Sequence, residues 1–216
     1  VLLYRLLERR GNINDTRFIK EIMSNPESLM EIIDKIYLSS DEDERAAEIE
    51  QVKKDNSYAL LGWHIFYTLR QTPFVDSNNT IDEVALNNYI DQLQTLGSAK
   101  HKIKGVNTVI GELLGNYPET EDYPPIPICD IIERLNNKEV NNGFRTRLYN
   151  KRGVTVRPAY EGGTLEKNEA DKYKKYADKI RYTHPIVCSI FDDLSRDYYQ
   201  IAKNKDIRVK IEKMEF

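Results

Sequence analysis

The sequence has few of the residues on which several protein classes depend. Its two cysteines, Cys129 and Cys188, both lie in apolar helical surroundings and are too few for a disulfide scaffold. We predict two buried free thiols and a reducing, cytoplasmic compartment. The three scattered histidines offer no metal-ligand spacing, so we expect no metal and no cofactor. Ten glycines and eight prolines in 216 residues argue against a turn-rich sandwich or barrel.

Long apolar runs and an excess of basic charge are missing as well. No run approaches the roughly 18 residues of a membrane span, and no signal peptide is visible. A formal net charge of −3 argues against a dedicated nucleic-acid domain, although it permits a local basic face. Phosphate-binding glycine loops, nucleophile elbows and zinc-protease motifs are absent too, so we assign no catalytic residue and favour a non-enzymatic role for this chain over an enzymatic one.

What is present is helical periodicity. Apolar residues recur at steps of three and four along most of the chain, which predicts an all-α fold of about nine or ten helices packed as antiparallel pairs in a bundle or array. Asn25-Pro26 is a strong helix start. Ser40 is the predicted cap of an acidic, solvated helix, and Thr80 with Glu83 forms a predicted capping box.

Two segments depart from this amphipathic pattern. Residues 58–70, YALLGWHIFYTLR, are apolar nearly all round, which predicts a central buried helix with His64 as a core or boundary residue. Residues 207–212 alternate between apolar and charged side chains. They extend the last helix, the alternative we favour, or they form a minor two-stranded β element with residues 154–157.

The Pro-rich segment 117–127 is the best internal boundary, with four prolines in eleven residues. Residues 57–216 form the main predicted helical domain. Residues 1–56 are N-terminal helices that belong to the same domain or end a preceding one. Because the chain begins without Met inside an amphipathic helical pattern, VLLYRLLERR, we expect it to be the C-terminal part of a longer protein.

Residues 143–163 carry the most distinctive chemistry. Between Arg145 and Arg157 there are five basic side chains and no acidic one, with aromatic residues interleaved. The segment continues into Gly162-Gly163, and we expect an irregular basic loop over 150–164 on the surface. The candidate binding surface comprises Arg145, Arg147, Tyr149, Asn150, Lys151, Arg152, Arg157, Tyr160 and Glu161.

Several roles for this surface stay open. The arginines have the forked geometry to pair with acids at 41–50 and 119–122 and so tie two parts of the fold together. They also suit a protein partner, or the phosphates and bases of single-stranded nucleic acid. An enzyme with an unrecognised site in the loop is a further alternative, with Asn150, Arg152 and Glu161 as its candidate groups.

A set of local strings resembles a helical region at the C-terminal end of large, uncharacterised bacterial proteins. The strings are Trp63 within an apolar helix, IGELL at 110–114, NKRGV at 150–154, and EGG at 161–163 followed by a stripe of alanines and tyrosines. The similarity spans roughly residues 57–206. It implies a bacterial cytosolic origin and a multidomain parent protein, and it brings no activity or catalytic residue.

The function predicted from these observations is a non-catalytic, C-terminal interaction or scaffolding module of a larger bacterial protein. Its expected partners are other domains of the same parent chain or another protein, and no membrane or metal is involved. Contact with nucleic acid through residues 144–157 is the first alternative, and an enzyme at loop 150–164 is the second.

Overall fold

The computed structural model describes residues 16–153 and 161–212 of the chain. This part of the chain holds ten α-helices and no β-strand, which confirms the predicted all-α, multi-helical fold. The helices are α1 (Thr16–Ser24), α2 (Pro26–Ile36), α3 (Glu42–Lys54), α4 (Ser57–Thr68), α5 (Glu83–Ala99), α6 (Ile103–Gly115), α7 (Ile126–Leu135), α8 (Lys138–Lys151), α9 (Thr164–Ile180) and α10 (Pro185–Glu212).

The chain divides into two compact units. The first contains the described residues of 1–118 together with 137–144, and the second contains 119–136 with the described residues of 145–216. The chain first passes from one unit to the other inside the Pro-rich segment. Helix α8 begins in the first unit and belongs to the second from Arg145 onward.

In the first unit, α2 is the helix against which α1, α4, α5 and α6 pack. Its start is the one predicted: Pro26 is the first helical residue, and the Asn25 side chain accepts a hydrogen bond from the Glu27 amide at 3.0 Å. The close approach of α6 and α8 depends on Gly111, since a Cβ there would overlap the Val140 carbonyl oxygen. Burial of apolar side chains between these helices supplies the main stabilisation.

Helix α3 is held differently, because none of its residues is buried. Its anchor is Lys102, whose side chain is only 2% exposed and whose Nζ lies 2.7 Å from Glu48 of α3 and 3.2 Å from Asp34 of α2. The same Nζ donates a hydrogen bond to the Asp34 carbonyl oxygen at 2.7 Å. A buried cation therefore joins α3 to α2 where hydrophobic packing does not.

In the second unit, α9 and α10 form a long helical hairpin joined by the short turn 181–184, so they run antiparallel. Tyr173 of α9 stacks on Tyr198 of α10, with ring centroids 5.8 Å apart and an interplanar angle of 8°. His184 in the turn is buried, and its Nε2 lies 2.9 Å from Asp130 of α7. The turn is the helix–helix corner expected at His184-Pro185.

Helix α10 continues through residues 207–212, so the favoured helical alternative for this stretch is correct. Two predicted caps are wrong. Asp41 rather than Ser40 caps α3, because its carboxylate is in reach of two amides of the first turn and the Ser40 hydroxyl donates to the His101 carbonyl oxygen instead. Asp82 rather than Thr80 caps α5, and its side chain accepts from the Ala85 amide.

Among the residues described, no helix combines the length and the apolar character that a membrane crossing requires.

Candidate functional site

The basic residues predicted as a binding surface lie mostly on a helix rather than in a loop. Arg145, Arg147, Tyr149, Asn150 and Lys151 are all within α8, and the helix ends at Lys151. Consecutive helical residues point about 100° apart, so these side chains leave the helix in different directions. Arg152 and Glu161 flank the end of α8 and the start of α9. Arg157 and Tyr160 lie outside the described residues.

Two of these arginines make ion pairs inside the second unit. Arg145 pairs with Asp197 of α10. Arg152 lies 2.8 Å from Glu166 of α9, a carboxylate with no solvent exposure, and Lys205 of α10 lies 3.0 Å from the same oxygen. The acids they contact are therefore on α9 and α10, whereas the sequence suggested the stretches 41–50 and 119–122. The Arg152–Glu166 pair is buried and charge-assisted, and a pair of this kind positions helices, whereas the Arg145–Asp197 pair is partly exposed.

Two further side chains of the predicted surface, Lys151 and Tyr149, pack against aromatic rings of the second unit. The Lys151 ammonium lies 5.9 Å from the centroid of the Tyr123 ring, and burial lowers the pKa of Lys151. Tyr149 stacks on Tyr198 at 5.4 Å, although part of its ring stays exposed. Ring stacking and cation–π contacts add to the stability of this region beyond simple burial. Arg145, Tyr149 and Arg152 of the predicted surface thus contact α9 or α10. Lys151 contacts Tyr123 instead.

Among the described residues, neither metal ligands nor cysteine thiols provide a second candidate functional site. Among the side chains described, no group of three His, Cys, Asp or Glu residues is arranged to hold a metal ion. Cys129 and Cys188 are both buried and unpaired with each other, as the sequence predicted. Burial raises the pKa of the Cys129 thiol to about 12, and the nearby Asp130 and Glu133 add to the rise. A thiol with so high a pKa is a poor nucleophile at neutral pH.

The unexpected feature is helix α4, which the sequence predicts to be central. One face does pack inward: Gly62, Ile65 and Phe66 are buried, and Gly62 lies so close to Ile36 of α2 that a Cβ would come within 2.8 Å of its side chain. The opposite face is open. Leu60 is 61% exposed and Tyr67 is 62% exposed, so the expectation of a fully buried helix is wrong.

Leu60, Trp63, His64 and Tyr67 form the open face, which we call the α4 face. Their spacing of three, four and seven residues places them along one side of a helix. Trp63 is half-buried, lies 5.9 Å from Tyr37, and stacks on Tyr67 with ring centroids 5.7 Å apart. His64 is exposed within this face, so its predicted core or boundary role is also wrong. The α4 face is therefore an aromatic surface in which Trp63 is held by its contacts with Tyr37 and Tyr67, and the aliphatic Leu60 lies at one end.

Sequence reasoning missed this surface because periodicity cannot reveal how many neighbours a helix has. A helix that is apolar all round is normally buried on every side. Here α4 packs against α2, while the preceding helix α3 stands in solvent and buries nothing. The sequence offered one signal. Trp63 and Tyr67 are of residue types that are often partly exposed to solvent, as tryptophan and tyrosine are at protein interfaces.

No protein-family model, no curated protein and no solved structure matches this chain.

Proposed function

We propose that this chain is a non-catalytic helical interaction module that binds an amphipathic helix of another protein through the α4 face. The observation that carries the proposal is the exposure of Leu60 and Tyr67 on either side of the half-buried Trp63. Aromatic residues held in place by a packed scaffold are the usual anchors of protein interfaces. A partner helix would lay its apolar stripe along the α4 face.

The rigidity of the face supports this role. Trp63 contacts Tyr37, Phe66 and Tyr67, so its ring has little freedom left to lose when a partner binds. Tyr37 itself is held against Gly105 of α6, where a Cβ would come within 2.5 Å of the ring. A preorganised aromatic surface binds with a smaller entropy cost than a flexible one.

The two alternatives receive less support. Arg145 and Arg152 share their charge with Asp197 and Glu166, which leaves less of it for a phosphate backbone. An enzyme at residues 150–164 would need converging polar groups, whereas the Arg152 guanidinium is already paired with the buried Glu166. A larger bacterial, cytoplasmic parent protein is part of the same proposal.

The test separates the α4 face from the basic segment. A Leu60→Asp/Tyr67→Asp variant, an Arg145→Ala/Arg147→Ala control and the wild-type chain are used to capture proteins from a nuclease-treated bacterial lysate. We expect one protein to be retained by wild type and control and lost with the α4-face variant. That protein, once purified, should change the Trp63 fluorescence in a saturable titration. Binding that nuclease abolishes, or that only the arginine variant loses, would contradict the proposal.

A further inference from the structure

A groove of about 460 Å³ lies between the second half of α8 and the middle of α10, within the second unit. We call it the α8/α10 groove, and its described lining consists of Arg145, Thr146, Tyr149, Asp197, Gln200 and Ile201. The volume is within the range of roughly 300–1,000 Å³ that is typical of small-molecule sites. Most of these side chains can form hydrogen bonds, so the groove offers specific contacts as well as burial.

Tyr149 is the outermost of four rings that stack in succession. Its ring stacks on Tyr198 with centroids 5.4 Å apart and an interplanar angle of 22°. Tyr198 stacks on Tyr173 at 5.8 Å, and Tyr173 stacks on Phe191 at 6.1 Å. The three inner rings are buried, whereas Tyr149 is 45% exposed. Tyr149 is therefore a rigid aromatic platform in the groove, onto which a further flat ring can stack.

Arg145 brings a hydrogen-bond donor to the same groove. Its guanidinium pairs with Asp197, but its Nε is buried and has no acceptor among the residues that the structure describes. Because a buried donor without an acceptor is costly, an acceptor atom on a bound ligand would stabilise this group. Gln200, whose Nε2 donates to the Asn204 Oδ1 at 3.1 Å, adds an amide that can both donate and accept.

Charge and shape together select the ligand. The paired Arg145 and Asp197 leave no net charge in the described lining, which suits a neutral molecule. A nucleobase is neutral and flat and carries acceptors and donors along its edge, so it matches the platform, the donor and the amide. A phenylalanine or tryptophan side chain of a protein would stack but has no acceptor for the Arg145 Nε. A nucleic-acid strand would also need cations for its phosphates, and Arg145 and Arg152 are already paired.

We infer that the α8/α10 groove binds the base of a free nucleoside, which stacks on Tyr149 and accepts a hydrogen bond from the Arg145 Nε. This site goes beyond the proposed function, because it lies in the second unit and shares no residue with the α4 face of the first.

Calorimetric titration with adenosine, guanosine, cytidine and uridine tests the inference. We expect saturable binding of at least one nucleoside to wild type and a roughly tenfold or greater loss of its affinity in Tyr149→Leu, which keeps apolar bulk but removes the ring. Tyr149→Phe keeps the ring and should bind within about twofold of wild type. Tyr182→Leu is the matched control, because Tyr182 is 96% exposed and does not line the groove, and it should bind like wild type.

Arg145→Lys provides a second test that leaves the stacked rings intact. The lysine keeps the positive charge beside Asp197 but removes the Nε donor, and we expect a roughly fivefold loss of nucleoside affinity. This comparison decides the matter if circular dichroism shows that Tyr149→Leu does not fold.

Three results would overturn the inference. The first is no saturable binding of any of the four nucleosides up to about 1 mM. The second is equal affinity in wild type, Tyr149→Leu and Arg145→Lys. The third is a single-stranded oligonucleotide that binds tenfold or more tightly than its nucleoside and is released by about 0.5 M salt, because the ligand would then be a strand. None of these results bears on the α4 face, since Trp63 and Tyr67 are unchanged in every variant.

Discussion

The Arg152 guanidinium lies 2.8 Å from the Glu166 carboxylate, and the Glu166 side chain is completely buried. The same guanidinium lies 5.5 Å from the centroid of the Tyr198 ring, so it connects α9 and α10 at the point where the chain leaves α8. Lys205 provides a second cation for Glu166 at 3.0 Å. A basic residue that the sequence marks as a binding candidate is therefore part of the internal framework.

Removing this arginine should be costly. Arg152→Ala removes one of the cations that pair with the buried Glu166, and we expect the free energy of unfolding to fall by about 3 kcal/mol. Urea denaturation measures the change. Lys53→Ala is the matched control, because it breaks an exposed pair with Glu50 and should barely alter stability. Equal effects of the two substitutions would show that Glu166 is not the buried charge described here.

Gly163 tests how closely α9 approaches α10. A Cβ at this position would overlap the backbone of Ala202, so Gly163→Ala should lower the free energy of unfolding by about 2 kcal/mol. Gly153→Ala is the comparison, since it has open space around it and a φ of 67°, for which we expect a cost of about 1 kcal/mol from backbone conformation alone. Thermal unfolding followed by circular dichroism ranks the two, and a smaller loss for Gly163→Ala would contradict the close packing.

Lys102 should control the attachment of α3. Lys102→Met removes the cation shared by Asp34 and Glu48, and α3 has no buried side chain to hold it in place. A loss of about 3 kcal/mol of local stability corresponds to an exchange rate roughly 100-fold faster for amides of residues 42–54. Hydrogen exchange with mass spectrometry reads this directly. If the amides of residues 42–54 keep their wild-type protection in Lys102→Met, Lys102 is not the anchor of α3.

Low pH should weaken the same anchor, the contact between Lys102 and Asp34. Burial alone would raise the pKa of Asp34, but Lys102, Lys100 and Lys35 outweigh it and hold the pKa below the ordinary 3.8. Because the folded-state pKa is depressed, this contribution to stability is present above pH 3.8 and is lost as the pH falls through the folded-state value. Lys102→Met should therefore show a smaller loss of stability in acid than wild type does.

Some parts of the structure could be predicted from the sequence, and others could not. Local chemistry was sufficient at Pro26, where a capping asparagine and a proline define a helix start, and along α10, whose apolar stripe runs at three- and four-residue steps. It failed at Asp82, because several nearby polar residues compete for the same amides and only the final backbone path decides among them.

The candidate surface shows the same limit more sharply. Arg145 and Arg152 look available in the sequence, yet their acids, Asp197 and Glu166, are 52 and 14 residues away and meet them only through helix packing. Leu60 and Tyr67 look buried in the sequence, yet they are exposed because α3 does not cover them. Both errors concern which surfaces meet in three dimensions, and no pattern within a single segment encodes that.

The Cys129 thiol should remain inert in the folded chain. Its pKa of about 12, raised by burial and by Asp130 and Glu133, keeps it protonated up to strongly alkaline pH. Iodoacetamide at pH 9 should therefore modify it only after unfolding, and peptide mapping identifies the site. Rapid native modification at Cys129, at a rate close to that of the unfolded chain, would contradict its burial.

Substitutions on the two sides of α4 should separate stability from binding. Leu60→Asp and Tyr67→Asp replace exposed side chains and should change the free energy of unfolding by less than about 1 kcal/mol each. Phe66→Ala, on the buried side, should cost about 3 kcal/mol or more. Urea denaturation of the three variants checks this, and a large loss of stability in Leu60→Asp would mean that the face belongs to the core.

The central claim is that the α4 face binds a protein helix, and the fluorescence of Trp63 tests it most directly. The partner isolated from lysate is titrated into the wild-type chain and into Tyr67→Asp while the emission is recorded. The account predicts a saturable shift to shorter wavelength in wild type, as the half-exposed indole is covered, and no such shift in Tyr67→Asp. An unchanged Trp63 emission on saturating partner, or an equal response of both chains, would contradict it.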